Sequence, residues 1–206
     1  MQLKCQRMGP LGTNCYLVWD EVSNEGMLID PAGRPERIAE ILADFHGKVK
    51  YIVLTHGHAD HVAGVKAAKA KTGAPILIHA ADAPMLLDYE NMIARYMGIS
   101  EPLPTADKEL SGGEKLQLGS CEFEVLHTPG HTEGGICLLG EGVLFSGDTL
   151  FAGSYGRYDL PGGNWGKLQD SLSSLLALPG ETLVYPGHGE ATTIAREQEN
   201  NRFVRS

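Results

Sequence analysis

The segment Thr55–His61 constrains this chain more than any other part of its sequence. It contains three histidines and one aspartate, and it directly follows the apolar run 51–54. That run is short, rich in β-forming residues and bounded by glycines, so we predict a buried strand. Polar side chains at the carboxyl end of such a strand are typical of functional sites in α/β proteins. So many candidate ligands in one turn favour a metal site over an isolated structural histidine.

Size and charge limit the classes of protein to consider. With 206 residues the chain can bury a sizeable core, and we expect one domain spanning residues 1–206. The formal net charge of -9 disfavours a nucleic-acid-binding protein, which would normally present a basic face. The amino-terminal residues lack the apolar core of a signal peptide, and no run approaches the length of a membrane span. A cytoplasmic location is therefore expected, and the oligomeric state is left open.

Strands and helices alternate along the chain. In the first half we predict strands at 14–19 and 26–30, a helix from Pro35 to Gly47, a strand at 51–54, a helix at 62–70 and a strand at 74–78. In the second half we predict strands at 115–118, 121–126, 136–139 and 143–145, a helix capped by Asn164, a strand at 182–185 and a short helix from about Thr193. This order predicts an α/β layering in which the second half repeats the layers of the first.

Residues 80–110 differ from the rest of the chain. Apolar residues recur at helical spacing between Met85 and Met97, and Pro102 and Pro104 interrupt the pattern. One interpretation is a helix packed on the core. The other is a cover over the site, in which flexible methionine side chains accept an acyl group.

Four predicted strands end in potential metal ligands. The ligands lie in the segment 56–61 and at His131, Asp148 and His188, each beside glycine or threonine. Imidazole and carboxylate ligands without an evident thiolate suit zinc, iron or manganese better than copper(I) or an iron–sulfur cluster. Seven ligands are too many for one tetrahedral ion, but they suit two ions that share a carboxylate.

These motifs together resemble those of the metallo-beta-lactamase superfamily. The resemblance is carried, in family order, by Thr55–His61, Thr128–Thr132, Ser146–Phe151 and Pro186–Gly189. It covers nearly the whole chain. It implies a four-layer αβ/βα sandwich of the metallo-beta-lactamase type, with the metal ions at one edge.

The resemblance also implies a role for each ligand. The first of two divalent metal ions, with zinc as the first choice and iron or manganese as alternatives, would be held by His56, His58 and His131. The second would be held by Asp60, His61 and His188. Asp148 would bridge the two ions, and Asp60 would also orient a metal-bridging hydroxide that attacks the substrate.

Asp30 allows two interpretations. It matches a family position that orients a ligand histidine. It could equally be an ordinary turn residue before a helix.

Within the superfamily, the motifs around His131 and Asp148 look most like the glyoxalase II branch, which hydrolyses thioesters of glutathione. The resemblance therefore implies a hydrolase of hydroxyacylglutathione-like, small-molecule thioesters. The sequence after His188 is short compared with the carboxyl-terminal helical domain of full-length members of that branch, so recognition of glutathione itself is left open. Tyr155 and Arg157 are candidate substrate-binding residues, because an arginine there could bind a carboxylate.

Other functions remain as alternatives. Persulfide dioxygenases resemble this sequence too, and they use a single iron ion. A nuclease is disfavoured by the acidic charge, a lactamase has little support from these motifs, and a non-catalytic binding module would be expected to have lost ligands. His46 and His79 match no ligand position, whereas His127 could take the place of His131 as a metal ligand.

Overall fold

Two six-stranded sheets form the centre of the computed structural model, which describes residues 1–205. The first sheet has the order β1-β2-β3-β4-β5-β6: Gln2–Met8, Thr13–Trp19, Glu25–Ile29, Lys48–Val53, Ile76–His79 and Lys108–Leu110. β1, β2 and β3 pair antiparallel, whereas β3, β4, β5 and β6 pair parallel. The parallel pairs place the carboxyl ends of β3, β4 and β5 at the same edge.

The second sheet is built by the second half of the chain. Its strands and those of a separate hairpin are β7 (Lys115–Leu118), β8 (Cys121–His127), β9 (Ile136–Gly140), β10 (Val143–Gly147), β11 (Leu150–Phe151), β12 (Ser154–Tyr155), β13 (Leu183–Pro186) and β14 (Thr192–Thr193). The sheet has the order β14-β13-β10-β9-β8-β7, and β11 and β12 form the hairpin. β10 and β13 are parallel, so their carboxyl ends lie side by side.

Helices cover the outer faces of both sheets. They are α1 (Pro35–Ile41), α2 (Ala59–Val62), α3 (Val65–Thr72), a 3-10 helix at Ala83–Leu87, α4 (Met92–Tyr96), α5 (Trp165–Leu176), α6 (Ile194–Asn200) and α7 (Arg202–Arg205). The predicted cap at Asn164 is confirmed, since its side chain accepts from the Lys167 amide. The helix predicted from about Thr193 is capped by the Thr193 hydroxyl, which accepts from the Arg196 amide. Within residues 1–205, we find no helix with the length and apolarity that a membrane crossing requires.

Three separate hydrophobic clusters show that the molecule has four layers. Leu17 of β2 packs with Ile38 and other residues of α1 and α3 on the outer face of the first sheet. Its neighbour Val18 points the other way and packs with Phe123 between the two sheets. A third cluster joins Leu144 of β10 to α5. Because successive side chains point to opposite faces, these buried strands are apolar on both sides. The predicted αβ/βα sandwich is confirmed.

The helix predicted at 62–70 is interrupted in the structure. α2 ends at Val62, and α3 begins at Val65 after Gly64. The Gly64 amide donates to the Pro31 carbonyl at 2.6 Å, and a Cβ at Gly64 would lie 2.5 Å from the Gly33 carbonyl oxygen. This close contact with the loop after β3 requires glycine and breaks the helix.

Residues 80–110 combine features of both interpretations. The segment forms two short helices and not one, because the 3-10 helix and α4 are separated by residues 88–91. Leu86 and Ala94 are buried in the core, as expected for a packed helix. Met92 is 85% exposed, which a core helix would not require. The segment therefore packs on the core through one face and leaves apolar side chains at the surface on the other.

Candidate metal centre

The predicted ligands lie at the edge where strands of both sheets end. β4 of the first sheet leads into the segment that contains His56 and His58. In the second sheet, β8 leads to His131, β10 to Asp148 and β13 to His188. Sheet pairing thus brings together side chains that are far apart in the sequence, at the place where α/β sheets form their sites.

The first group of side chains consists of His56, His58 and His131. One potential ligand atom from each lies within 4.8 Å of the others. The Nδ1 atom of His58 is 2.9 Å from the Nε2 atom of His131. Three imidazoles this close can hold one metal ion.

The second group consists of Asp60, His61 and His188, again with ligand atoms within 4.8 Å of one another. The Nε2 atom of His188 lies 3.1 Å from Oδ2 of Asp60 and 3.2 Å from Nε2 of His61. Thr13 donates to the same Asp60 oxygen at 3.2 Å. This group can hold a second ion through two nitrogens and one carboxylate oxygen.

Asp148 lies between the two groups. Its Oδ1 atom is 3.3 Å from Nε2 of His61, and its Oδ2 atom is 3.6 Å from Nε2 of both His131 and His188. One carboxylate therefore contacts members of the first group and of the second. This is the arrangement that a shared, bridging ligand requires.

Asp30 determines which ring nitrogen carries a proton in two of the imidazoles. It accepts from the Thr55 amide at 2.7 Å, from the Thr55 hydroxyl at 2.6 Å and from Nδ1 of His61 at 2.8 Å. Because the Thr55 hydroxyl gives its proton to Asp30, it must accept from Nδ1 of His56, which lies 3.1 Å away. Both rings thus carry a proton on Nδ1, which leaves Nε2 as the atom directed into the cluster. Asp30 therefore has the orienting role that the resemblance implies.

His131 is oriented in a comparable way by the backbone. Its Nδ1 atom lies 2.7 Å from the carbonyl oxygen of Arg157. A carbonyl can only accept, so Nδ1 donates and Nε2 keeps its lone pair. The loop after β12 therefore contributes to the centre through its main chain.

Two buried acceptors in the cluster support a bound cation. Nε2 of His56 and Oδ1 of Asp148 are buried and have no hydrogen-bond partner among the described residues. A buried acceptor without a partner costs on the order of 1–3 kcal/mol. Cations bound among these atoms would satisfy both, and the imidazole–carboxylate set matches the ligands that divalent transition metals prefer. The residues thus fit a metal centre.

The ionisation of the cluster also suits metal binding. Burial, together with the imidazoles of His131 and His61, lowers the pKa of His58 to about 4. Burial likewise lowers the pKa of His56 well below its usual value. For Asp148, burial by itself would raise the pKa, but the nearby His61 outweighs it and the pKa of the carboxyl is lowered. At neutral pH His56 and His58 are neutral imidazoles and Asp148 is a carboxylate, which are the forms that ligate metals. Burial by itself would lower the pKa of His61, but the carboxylates of Asp148 and Asp30 outweigh it and the pKa is raised. A cation that binds to this ring therefore displaces a proton from it.

Gly187 keeps the ligands close together. A Cβ at this position would lie 2.2 Å from Oδ1 of Asp148 and 2.7 Å from Cε1 of His61. Any side chain there would push apart two members of the cluster. The glycine before His188 is thus required for close packing rather than for chain flexibility.

Asn14 is part of the support for the centre and was not found from the sequence. Its side-chain amide donates to the carbonyls of Pro186 at 2.9 Å and Gly189 at 3.0 Å, and its backbone amide donates to Gly187. These bonds hold the loop that carries His188. No sequence pattern indicates this role, because the partners are more than 170 residues apart.

Asp82 is a second supporting residue that the sequence did not indicate. It is 1% exposed and follows β5. One carboxylate oxygen accepts from the Gly57 amide at 3.0 Å, and the other from the Gly134 amide at 2.7 Å. Asp82 thus links the loop of His56 and His58 to the loop of His131.

We expect Asp82→Ala to weaken metal binding and to destabilise the fold. Each buried amide left without its acceptor costs on the order of 1–3 kcal/mol. With two such amides we expect the melting temperature to fall by at least about 4 °C, and metal affinity to fall about tenfold or more. Calorimetry and competition titration with a metal chelator measure the two effects. Asp170→Ala, at an exposed position, is the control, and unchanged metal affinity in Asp82→Ala would contradict the proposed link.

The other histidines and the predicted substrate residues lie outside the two groups. His127 stacks on His79 with ring centroids 4.0 Å apart, so the structure brings His131 and not His127 into the cluster. The guanidinium of Arg157 forms two bonds of 2.8 Å with Asp159 and is exposed. The ring of Tyr155 packs against Trp165. Substrate binding by Tyr155 and Arg157 stays a prediction.

Comparison with known proteins points to one family. A model described as the metallo-beta-lactamase superfamily matches residues 8–188. The chain is 36% identical to hydroxyacylglutathione hydrolase GloC of Haemophilus influenzae over 94% of this chain and 93% of that protein. Among solved structures, TTHA1623 in a di-iron-bound form has a TM-score of 0.87 and 37% identity, covering 97% of this chain and 99% of that one. The B3 metallo-beta-lactamase BLEG-1 has a TM-score of 0.90 and 34% identity, with full coverage of both chains.

Proposed function

The chain belongs to the metallo-beta-lactamase superfamily, and we propose that it is a dinuclear, metal-dependent thioesterase of glyoxalase II type. Its substrates would be small S-acyl or hydroxyacyl thioesters related to those of glutathione. The observation that carries the dinuclear part is the pair of three-residue groups with Asp148 between them. The thioester part is supported by the name of the relative from Haemophilus influenzae.

We propose that His56, His58 and His131 would hold the first ion, that Asp60, His61 and His188 would hold the second, and that Asp148 would be shared by both. Two divalent ions in such a site would supply hydroxide at neutral pH and polarise a carbonyl group. Zinc is the first choice and iron or manganese are alternatives, since the ligand set accepts all three. Iron is retained as an alternative because the related protein TTHA1623 has been solved in a di-iron-bound form.

The chain itself contributes orientation and charge. Asp30 and the carbonyl of Arg157 hold three imidazoles with Nε2 directed into the cluster. Asp60, kept in place by the Thr13 hydroxyl, is proposed to orient the attacking water in addition to its role as a ligand. No serine or cysteine nucleophile is required in this scheme.

The proposed activity differs measurably from its alternatives. We expect kcat/KM for thioesters to exceed that for β-lactams of similar size at least tenfold, a difference of about 1.4 kcal/mol in transition-state binding. The measurement is a panel of both substrate classes, with elemental analysis of protein purified without added metal. Equal or reversed rates would refute the thioesterase assignment and favour a lactamase, the activity for which BLEG-1 is named.

Oxygen uptake, measured with an oxygen electrode, tests the alternative that the protein is a mononuclear iron persulfide dioxygenase. That enzyme would bind one iron ion and consume oxygen with a persulfide substrate. The complete second group of Asp60, His61 and His188 favours two ions instead. Two ions per chain without oxygen uptake would support the hydrolase. The cytoplasmic location and the exclusion of nucleic acid as a partner stay predictions.

A further inference from the structure

A cavity of about 410 Å³ opens directly beside the first group of ligands. Gly57 and His58 form the wall nearest the metal centre. The 3-10 helix and α4 also line it, as does the loop after β12, which contributes Leu160. A substrate whose reacting carbonyl lies at the centre would therefore extend one of its substituents into this space.

The lining of this cavity is apolar. Its lining includes the apolar side chains of Met85, Leu86, Met92, Ile93 and Leu103. Among the described residues that line it there is no lysine or arginine, and Asp88 is its only carboxylate. Methionine side chains adapt their shape to apolar ligands. The cavity thus favours hydrocarbon and disfavours a negatively charged substituent.

Exposure at the rim of the cavity supports a ligand there. Met92 is 85% exposed and Ile93 is 49% exposed, although both are apolar. Apolar side chains grouped at the mouth of a cavity mark ligand-binding surfaces more often than isolated exposed residues do. Covering them with a hydrocarbon chain would remove this surface from water.

From this geometry we propose that the cavity holds the acyl group of the substrate, and that this group is an unbranched aliphatic chain of about six to ten carbons. The proposal rests on the thioesterase function proposed above. A thiol of the glutathione type carries carboxylates, which Asp88 would repel, whereas an acyl group can be entirely aliphatic. At roughly 30 Å³ per water-sized group, the cavity has room for on the order of a dozen non-hydrogen atoms.

The test varies the acyl group while the thiol stays the same. Acetyl, butanoyl, hexanoyl, octanoyl and lactoyl thioesters of glutathione are compared with the metal-loaded enzyme. We expect kcat/KM to rise about three- to fourfold per methylene up to octanoyl, with the lactoyl ester below the butanoyl ester. A flat profile, or the lactoyl ester as the best substrate, would overturn the proposal and leave the thioesterase function standing. Failure to hydrolyse any thioester would instead refute that function.

Variants on α4 test whether the dependence of kcat/KM on acyl-chain length arises in this cavity. Ile93→Asp places a charge in the cavity, and we expect it to lower the octanoyl-to-acetyl ratio of kcat/KM about tenfold. Tyr96→Asp on the same helix is the matched control, because Tyr96 is 67% exposed and does not line this cavity. An equal fall in both variants, or none in Ile93→Asp, would place the acyl chain elsewhere.

A binding measurement tests the affinity of the cavity for hydrocarbon independently of thioester hydrolysis. Titration calorimetry with hexanol and octanol, which are uncharged, uses the protein both as purified and after treatment with a chelator. We expect octanol to bind more tightly than hexanol in both forms, and Ile93→Asp to weaken binding while Tyr96→Asp does not. An affinity that does not change with the chain length of the alcohol, or binding that is lost when the metal is removed, would contradict an apolar acyl site.

Discussion

Asp148→Ala is expected to abolish thioester hydrolysis and to lower the metal content of the protein. Asp148 lies within 3.3–3.6 Å of ligand nitrogens from both groups, so its loss removes the one carboxylate that they share. Its removal would also leave bound cations with less compensating charge. Loss of a single electrostatic stabiliser at an active site lowers kcat by about 10²–10³. Loss of a bridging ligand should cost at least that much.

The measurement combines elemental analysis with kinetics at saturating metal. His58→Ala is a useful second variant, because it removes a ligand from the first group alone and should weaken one ion more than the other. Asp44→Ala is the control, since the side chain of Asp44 is 90% exposed on the surface. If Asp148→Ala kept two ions per chain and full turnover, the proposed centre would have to be abandoned.

The second large effect is expected for Asp30→Asn, which should lower metal affinity about 10- to 100-fold. One carboxylate oxygen of Asp30 accepts from both Thr55 and His61, and the other accepts from the Thr55 amide. An asparagine must place its NH₂ group against one of these donors in either orientation. His61 would then lose its fixed proton on Nδ1, and its Nε2 atom would no longer be held ready for a metal.

Asparagine is chosen as the replacement because it avoids backbone strain at this position, so the result reports on the lost carboxylate. Asp30 has a φ of 48°, a conformation that asparagine adopts readily and alanine does not. Asp20→Asn is the matched control, because Asp20 is also buried and accepts from the Ser23 amide and the Ser120 hydroxyl, which are not part of the metal centre. We expect both variants to lose stability and only Asp30→Asn to lose metal affinity in a chelator competition. Equal affinities in the two variants would show that Asp30 does not orient the ligands.

Local features of the fold followed from short sequence patterns. The cap at Asn164, the start of the last helix near Thr193 and the strands β2 and β3 depend on residues close in the chain. The interruption at Gly64 was missed because its cause lies in the loop at residues 31–33. Two interpretations of the 80–110 segment were left open because apolar spacing alone cannot separate a buried helix from apolar residues left at the surface.

Supporting residues of the candidate centre were harder to predict than the ligands. The ligand types His and Asp are recognisable because they follow predicted strands and carry metal-binding atoms. Asn14 and Asp82 carry no such signal, because an asparagine or aspartate beside a strand is common in loops. Their partners are 172 and 52 residues away, so only the folded chain shows what they bind.

By itself, the sequence determined the chemistry available to this protein: nitrogen and carboxylate ligands at strand ends, and apolar strands buried on both faces. The tertiary structure decided which strand ends meet, which ring nitrogen each histidine presents, and that an apolar cavity lies beside the ligands. The reason is physical. Strand, helix and cap preferences act over a few neighbouring residues, whereas the pairing of β10 with β13 and the contacts of Asp30, Asp82 and Asp148 depend on packing across the whole sandwich.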